Sequence, residues 1–286
     1  MSDFKIIVDS ACDLSVEEIS KRGAICLPLT FRFSDEDKEY FNYDMSTADF
    51  YARMKAGGVA KTAAVNTESF AECFRGVLEG GCDVLYVGFS SGLSTTFNSA
   101  RLAALEIAEE YPERKIITVD TLAASAGVAL LLDMLIEKKN SGAKIEEVAA
   151  YAEEIKLNIA HWFTVDDLVY LKRGGRVSPT VAFVVNLLGI KPVLHVDNEG
   201  HLVSVSKSRG RHSSLLAMAE RLANTIKEGS KVYISHGNCI DDAKKLASIV
   251  EEKYGYKTSL ITDVGPVIGA HSGPGTLAIF FVAKER

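Results

Sequence analysis

Residues 83–98, DVLYVGFSSGLSTTFN, decide the fold class of this chain. The first half of the stretch is an apolar run of strand length, and the second half places small hydroxyl residues before a helical pattern. The first turn of a helix leaves backbone N–H groups without partners and carries the positive end of the helix dipole. The stretch therefore predicts a strand that leads into a receptor for an anion, either a carboxylate or a phosphate.

The strand-to-helix order recurs on both sides of this stretch. Residues 5–8 read as a buried strand before an S-x-x-E capping box at residues 15–18, residues 27–33 alternate as a one-sided strand, and the strand at 115–119 precedes a helix at 122–138. Repeated units of this kind imply a parallel sheet that binds ligands beyond the carboxyl ends of its strands. Three loops qualify for a site: residues 9–10, 90–94 and 120–121.

The second half of the chain has a different pattern. After a helix predicted at 144–159, two segments of strand length at 191–196 and 201–206 flank the turn sequence DNEG, which indicates an antiparallel hairpin. Helices and strands then alternate to the end. We therefore expect an α/β protein with an N-terminal parallel-sheet α/β domain, residues 1–165, and a C-terminal α+β domain with a mixed or antiparallel sheet, residues 166–286.

Composition narrows the classes of partner. The 286 residues carry a net charge of −6, and no run of Lys or Arg forms a basic stripe, which disfavours nucleic acid. The five cysteines contain no CxxC pair, which argues against disulfides and a thiolate metal site and fits a reducing cytoplasm. No apolar run approaches the roughly 18 residues of a membrane span. Any contact with a membrane would therefore be transient, and no metal or cofactor is expected.

The hydroxyl residues around Gly92 have two readings. A hydroxyl that caps a helix and one that binds an anion use the same geometry, and the same holds for Thr62 in KTAAVNT. Clustering favours the ligand, because a single cap needs only one hydroxyl. The clustered residues are Ser90, Ser91, Ser94, Thr95 and Thr96.

Three further segments could contact a ligand. Residues 265–276, GPVIGAHSGPGT, hold four glycines around His271, and this predicts a loop with unusual backbone angles in which the imidazole meets an anion. Residues 171–178, LKRGGRVS, could hold an anion or a partner protein, or could be a solvated helix end. The apolar run at 181–188 is either core or cavity lining, and core is the interpretation we favour.

The ordered series of motifs resembles the DegV family over essentially the entire chain. That resemblance implies an N-terminal α/β domain and a C-terminal α+β domain that hold one long-chain fatty acid between them. Hydroxyl groups would bind the carboxylate of the fatty acid. By motif, Thr62 and Ser94 would bond the carboxylate and His271 would complete or gate the site. Thr95 departs from the family motif, and we expect it to join them because it belongs to the hydroxyl cluster. The motifs are IIVDSACDLS (6–15), LPLTF (27–31), KTA (61–63), SSGLSTT (90–96), VDT (119–121), LKRGGRVS (171–178), GIKPVL (189–194), ISHG (234–237) and GPVIGAHSGPGT (265–276).

The resemblance also implies a partner, because the family includes the carrier subunit of fatty acid kinase. Such a carrier presents the carboxylate to a separate ATP-dependent kinase that forms an acyl phosphate, and this chain has neither a kinase signature nor GxxxxGK[ST]. The resemblance therefore implies that this protein has no enzymatic activity without the kinase. Arg173, Arg176 and Arg209 resemble surface positions that would meet the kinase. The chain departs from the frequent family sequences KTSQPS and SGLSGTY at residues 63–66 and at Thr95, where ligand selectivity would differ.

Two other functions remain open from the sequence. A serine hydrolase would use Ser94, Asp120 and His271, which occur in the chain order of α/β-hydrolases. Its nucleophile elbow is incomplete, because Thr96 occupies the position where G-x-S-x-G needs glycine. A structural or regulatory module without a ligand would have no pocket between its domains.

Overall fold

The computed structural model describes residues 3–177 and 189–286. Three sheets and ten helices lie in these ranges. The helices are α1 (Val16–Lys21), α2 (Thr47–Lys55), α3 (Thr67–Glu79), α4 (Thr96–Glu110), α5 (Ala126–Asn140), α6 (Ile145–Ile155), α7 (Val169–Arg173), α8 (Arg211–Thr225), α9 (Ile240–Tyr254) and α10 (Pro266–Ser272), with 3₁₀ turns at Ser10–Cys12 and Lys156–Asn158.

A parallel sheet, sheet A, organises the N-terminal half. Its four strands lie in the order β2-β1-β6-β7, and every pairing is parallel. Helices cover both faces, so β6 is buried along its length: Leu85 and Val87 face α5 and α6, whereas Val84 and Tyr86 face α3 and α4. The strands are β1 (Phe4–Asp9), β2 (Ile25–Leu27), β6 (Asp83–Gly88) and β7 (Ile116–Asp120).

A mixed sheet, sheet C, organises the C-terminal half. Its six strands lie in the order β10-β9-β8-β13-β11-β12, antiparallel except for the β11–β12 pair. Together with sheet A it confirms the predicted fold class. The strands are β8 (Ile159–Thr164), β9 (Ile190–Val196), β10 (Leu202–Arg209), β11 (Val232–His236), β12 (Thr258–Asp263) and β13 (Leu277–Val282).

The two faces of sheet C meet different partners. Ala160 and Trp162 of β8 pack in the core beneath α8 and α9, whereas Phe163 packs with α5 of the N-terminal half. Strand β8 lies N-terminal to the domain boundary expected after residue 165, so sheet C includes a strand from the segment assigned to the first domain. The helix predicted at 144–159 ends at Ile155. A 3₁₀ turn follows it, and β8 begins at Ile159.

A small antiparallel sheet, sheet B, was not predicted from the sequence. It has the order β4-β3-β5 and packs with α2 around an aromatic core. The single strand predicted at 27–33 is wrong, because the chain divides around Pro28 into β2 of sheet A and β3 of sheet B. The strands are β3 (Thr30–Phe33), β4 (Tyr40–Phe41) and β5 (Ala60–Ala63).

Two further segments differ from their predicted form. The loop expected at 265–276 contains helix α10, which begins with Pro266 and ends before Gly273, whose φ is +82°. Helix α5 begins at Ala126 rather than 122, after Ser125 with a φ of +55°. The apolar run predicted at 181–188, and Ser178 of LKRGGRVS, lie outside the described residues. Within the described ranges, no helix is long and apolar enough to cross a bilayer, and no acidic, His or Cys cluster could hold a metal ion.

Candidate functional site

A cavity of about 480 Å³ lies between the carboxyl edge of sheet A and the inner face of sheet C. Its volume is within the ordinary range of ligand sites. Helix α10 forms part of the wall, and most of the lining is apolar. The apolar lining residues are Leu29, Ala63, Ala64, Phe89, Leu93, Ala124, Phe163, Leu171, Val196, Leu202, Val264, Val267, Ile268, Ala278 and Phe280.

Thr62 and His271 form a polar pair in this wall. Thr62 lies on β5, and its Oγ1 is 2.8 Å from Nε2 of His271 in the last turn of α10. The other ring nitrogen, Nδ1, is buried without a partner among the described residues. Burial and the nearby Arg176 charge lower the pKa of His271 to about 4, so the imidazole is neutral at pH 7.

A glycine makes room for the His271 ring. A Cβ atom at Gly174 would lie 2.2 Å from His271 Nδ1, so any larger residue here would force the ring or the turn to shift. The two glycines of LKRGGRVS therefore allow the turn after α7 to approach the imidazole, and Gly175 adopts a φ of +69°.

The hydroxyl loop, residues 90–95, brings Ser94 and Thr95 to the same cavity. Ser94 Oγ accepts the Thr96 amide at 3.2 Å and lies 2.9 Å from Thr96 Oγ1, so it satisfies the first amide of α4 as well as lining the cavity. Thr95 stands at the cap position but makes no capping bond with its side chain. The capping and ligand interpretations of this loop are therefore compatible.

Both halves of the molecule hold the hydroxyl loop in place. Ser90 Oγ donates to the carbonyl of Gly200 in the β9–β10 turn at 2.9 Å. Asp120 Oδ1 accepts the amide of Ser91 at 3.2 Å and that of Leu122 at 3.1 Å. These bonds explain two residues that the sequence singled out: Ser90 and Asp120 fix the loop.

Arg176 brings a positive charge to the polar side of the cavity. It lines the cavity half-buried, and its Nε donates to the Leu93 carbonyl at 3.1 Å, beside Ser94. Its Nη1 donates to the Gly174 carbonyl. The other two arginines predicted to contact a partner, Arg173 and Arg209, are exposed.

The three residues of the hydrolase hypothesis do not form a triad. His271 pairs with Thr62, Ser94 pairs with Thr96, and the Asp120 carboxylate accepts backbone amides. A triad needs a base in contact with both nucleophile and acid. The geometry therefore does not favour this hypothesis.

A second polar cluster in the cavity was missed from the sequence. Ser125 Oγ donates to Asp13 Oδ2 and lies 2.9 Å from Ser235 Oγ, and both serines line the cavity. The amide of Gly265 donates to Asp13 Oδ1 at 2.9 Å. Burial raises the pKa of Asp13 to about 7. Asp13, Ser235 and Gly265 lie within motifs quoted above and Ser125 does not, and no spacing links the four positions.

His161 is another lining residue that the sequence did not single out. Its Nδ1 lies 2.8 Å from the carbonyl of Ile159, and its Nε2 accepts the amide of Ala124 at 3.3 Å. These partners fix a neutral tautomer with the proton on Nδ1. Burial lowers the pKa of the ring, so His161 contributes a neutral aromatic wall.

The fold and the site define an α/β protein with an apolar cavity between its two large sheets, and hydroxyl groups, a neutral imidazole and a guanidinium lie on the cavity wall. The sequence model of the DegV family, a family of uncharacterised proteins, matches residues 3–284. The chain belongs to that family.

Relatives and solved structures match along almost their whole length. A DegV domain-containing protein of Clostridium perfringens is 38% identical, over 100% of this chain and 99% of the relative. A fatty acid-binding protein of Thermotoga maritima is 34% identical, over 99% and 98%. The crystal structure of a stearic acid-binding protein from Eubacterium ventriosum superimposes with a TM-score of 0.89 at 27% identity, over 98% of both chains.

Proposed function

We propose that this protein binds one long-chain fatty acid in the cavity between sheets A and C, with the carboxylate beside Thr62, Ser94, Thr95 and His271. The observation that carries the proposal is the Thr62–His271 pair, with Arg176 nearby, on the wall of an otherwise apolar cavity. The names of the Thermotoga and Eubacterium relatives support the same ligand class.

The tail of such a ligand supplies most of the affinity. Burial of about 14 methylenes yields on the order of 11 kcal/mol at about 0.8 kcal/mol each, before the cost of ordering the chain is subtracted. The carboxylate would lose several kcal/mol if it were buried without donors. Hydroxyl groups and the Arg176 guanidinium therefore determine which end of the ligand stays at the polar wall.

The protein acts as a carrier for a separate ATP-dependent fatty acid kinase, which transfers a phosphoryl group to the bound carboxylate. The resemblance to the family that includes the kinase carrier supports this step, as does the absence of a kinase signature in the chain. Arg173 and Arg209 are exposed and available to the kinase. Arg176 turns toward the cavity, which suits it to the bound carboxylate.

Ligand analysis tests the carrier function directly. The protein is expressed in bacteria, purified without detergent and extracted, and the extract is examined by mass spectrometry for fatty acids. The stripped protein is then titrated with palmitate and oleate. We expect about one fatty acid per chain and saturable rebinding, and a protein that carries no lipid and rejects both acids would refute the proposal.

The kinase step has its own assay. The loaded protein is mixed with ATP and a bacterial fatty acid kinase catalytic subunit, and acyl phosphate is trapped with hydroxylamine. We expect hydroxamate only when both proteins are present. Replacement of Arg173 and Arg209 together by Glu should slow the reaction without releasing the lipid, whereas unchanged rates would place the kinase on another surface.

A further inference from the structure

The cavity wall carries oxygen atoms at two places. The Thr62–His271 pair lies at the C-terminal end of α10, and the cluster of Asp13, Ser125 and Ser235 touches the N-terminal end of that helix through Gly265. At 1.5 Å per residue, the six steps from Gly265 to His271 span ~9 Å of helix axis. A fatty acid whose carboxylate lies beside His271 therefore brings the middle of its chain toward the second cluster.

The direction of each hydrogen bond in the Asp13–Ser125–Ser235 cluster follows from its chemistry. An ionised carboxylate only accepts, so the single hydroxyl proton of Ser125 is donated to Asp13. The 2.9 Å contact between the two serines then requires Ser235 to donate to Ser125. Within residues 3–177 and 189–286, no donor reaches Ser235 Oγ, which keeps its acceptor capacity for the cavity.

The surroundings of Ser235 make that capacity unusual. Ser235 is fully buried on β11, and the residue opposite it on β13 is Ala278. Ala278, Phe163 and Phe280 all line the cavity. A hydroxyl group placed among such side chains without an acceptor would weaken binding by about tenfold or more. Ser235 supplies an acceptor next to these three apolar side chains.

We propose that the ligands of this protein include fatty acids with a hydroxyl group in the middle of the chain, and that this hydroxyl donates to Ser235 Oγ. The inference rests on the proposed fatty acid binding and deepens it. A ketone at the same carbon has no proton to donate. It could engage Ser235 only by breaking the bond from Ser235 to Ser125, so the cluster discriminates between the two oxygen functions.

Titration of the wild-type protein tests this at pH 8, where Asp13, with a pKa of about 7, is ionised. The ligands are stearic acid, a mid-chain hydroxystearic acid, the corresponding ketone and an isomer with its hydroxyl at the methyl end. We expect the mid-chain hydroxy acid to bind at least as tightly as stearic acid. The ketone and the methyl-end isomer should bind about tenfold more weakly.

Two serine variants locate the effect. Ser235→Ala should reduce the ratio of mid-chain hydroxystearate to stearate affinity by about tenfold. Ser272→Ala removes another buried hydroxyl from the cavity wall and should leave the ratio unchanged. Binding of stearate shows whether each variant has folded. The comparison of the four ligands on the wild-type protein tests the inference even if neither variant folds.

The outcomes separate the two proposals. If the wild-type protein binds none of the acids, the proposed function is wrong. If it binds stearate but the mid-chain hydroxyl weakens binding as much as the methyl-end hydroxyl, the inference about Ser235 is wrong. An unchanged ratio in Ser235→Ala would also overturn it.

Discussion

Thr62 and Ser94 illustrate how far single residues could be interpreted from the sequence. Each precedes a helix, so each could have been a cap, and Ser94 in fact both accepts the first amide of α4 and lines the cavity. Clustering around Gly92 singled out Ser94, and the family motif separated both hydroxyls from the many others in the chain. No motif linked Asp13, Ser125 and Ser235 to one another, because their contact depends on three distant segments that the fold brings together.

Removal of either hydroxyl tests the proposed carboxylate site. Thr62→Ala and Ser94→Ala should each weaken fatty acid binding about five- to tenfold, because each deletes one donor to a charged group. Isothermal titration against palmitate measures the change, and thermal unfolding of the ligand-free variants checks the fold. Thr62→Ser is the matched control and should bind like the wild type. If both alanine variants kept full affinity, the head group would lie elsewhere.

The buried His271 ring makes stability depend on pH. Its pKa falls to about 4 in the folded protein, below the 6.5 of a free imidazole, so the unfolded chain binds more protons between these values. The resulting stability is present above pH 6.5 and is lost as the pH falls toward 4. Asp13 acts in the opposite direction. Because its pKa rises to about 7 in the folded protein, its contribution to stability decreases as the pH increases toward 7.

A variant isolates the His271 contribution. His271→Gln has no titrating ring, so its free energy of unfolding should fall less than that of the wild type between pH 7 and pH 5. Urea denaturation at the two pH values gives the comparison. Parallel losses in both proteins would show that the ring does not govern this part of the pH dependence.

At the scale of elements, the regular strands and helices were predictable and the short ones were not. Strands β1, β6 and β7 and helices α4 and α5 have clear apolar patterns, and they lie close to where the sequence placed them. Helix α10 has seven residues and two glycines beside it, so its composition predicts a loop; packing against α2 and sheet B stabilises it instead. The strands of sheet B have two to four residues, too few to show a period.

The β9–β10 turn gives a test at this scale. Gly200 has a φ of +79°, and a Cβ atom there would lie 2.1 Å from Ser90 Oγ. Gly200→Ala should therefore destabilise the protein by about 2–3 kcal/mol through backbone strain and the clash, and should weaken fatty acid binding by displacing the hydroxyl loop.

A second glycine separates strain from displacement. Gly255 has a φ of +77° at the end of α9, with open space around its Cβ position. Gly255→Ala should cost about 1 kcal/mol and leave fatty acid binding intact. Urea denaturation and titration of both variants provide the measurements, and equal effects on binding would argue against the role of the Ser90–Gly200 contact.

At the scale of the whole molecule, the cavity exists because two sheets face each other across α5 and α10. Ala278 of β13 lies at this junction, opposite Phe163 on one side and Ser235 on the other. Ala278→Phe should fill the space of the tail, lower fatty acid affinity at least tenfold, and cost only about 1–3 kcal/mol of stability.

The matched variant lies on the other face of the same sheet. Ala160 packs beneath α8 and α9, away from the cavity. Ala160→Phe should destabilise the fold more than Ala278→Phe and leave the affinity of the folded fraction unchanged. Co-purified lipid and urea denaturation distinguish the two results, and retained lipid in Ala278→Phe would contradict the proposed path of the tail.

The alternation along β8 also determines what an optical experiment can detect. The chain has one tryptophan, and Trp162 stacks on His195 with Arg221 above its ring, on the side of sheet C that α8 and α9 cover. Its intrinsic fluorescence should therefore follow global unfolding while staying nearly constant during a ligand titration. A large emission change on adding oleate would mean that occupancy is transmitted through the sheet.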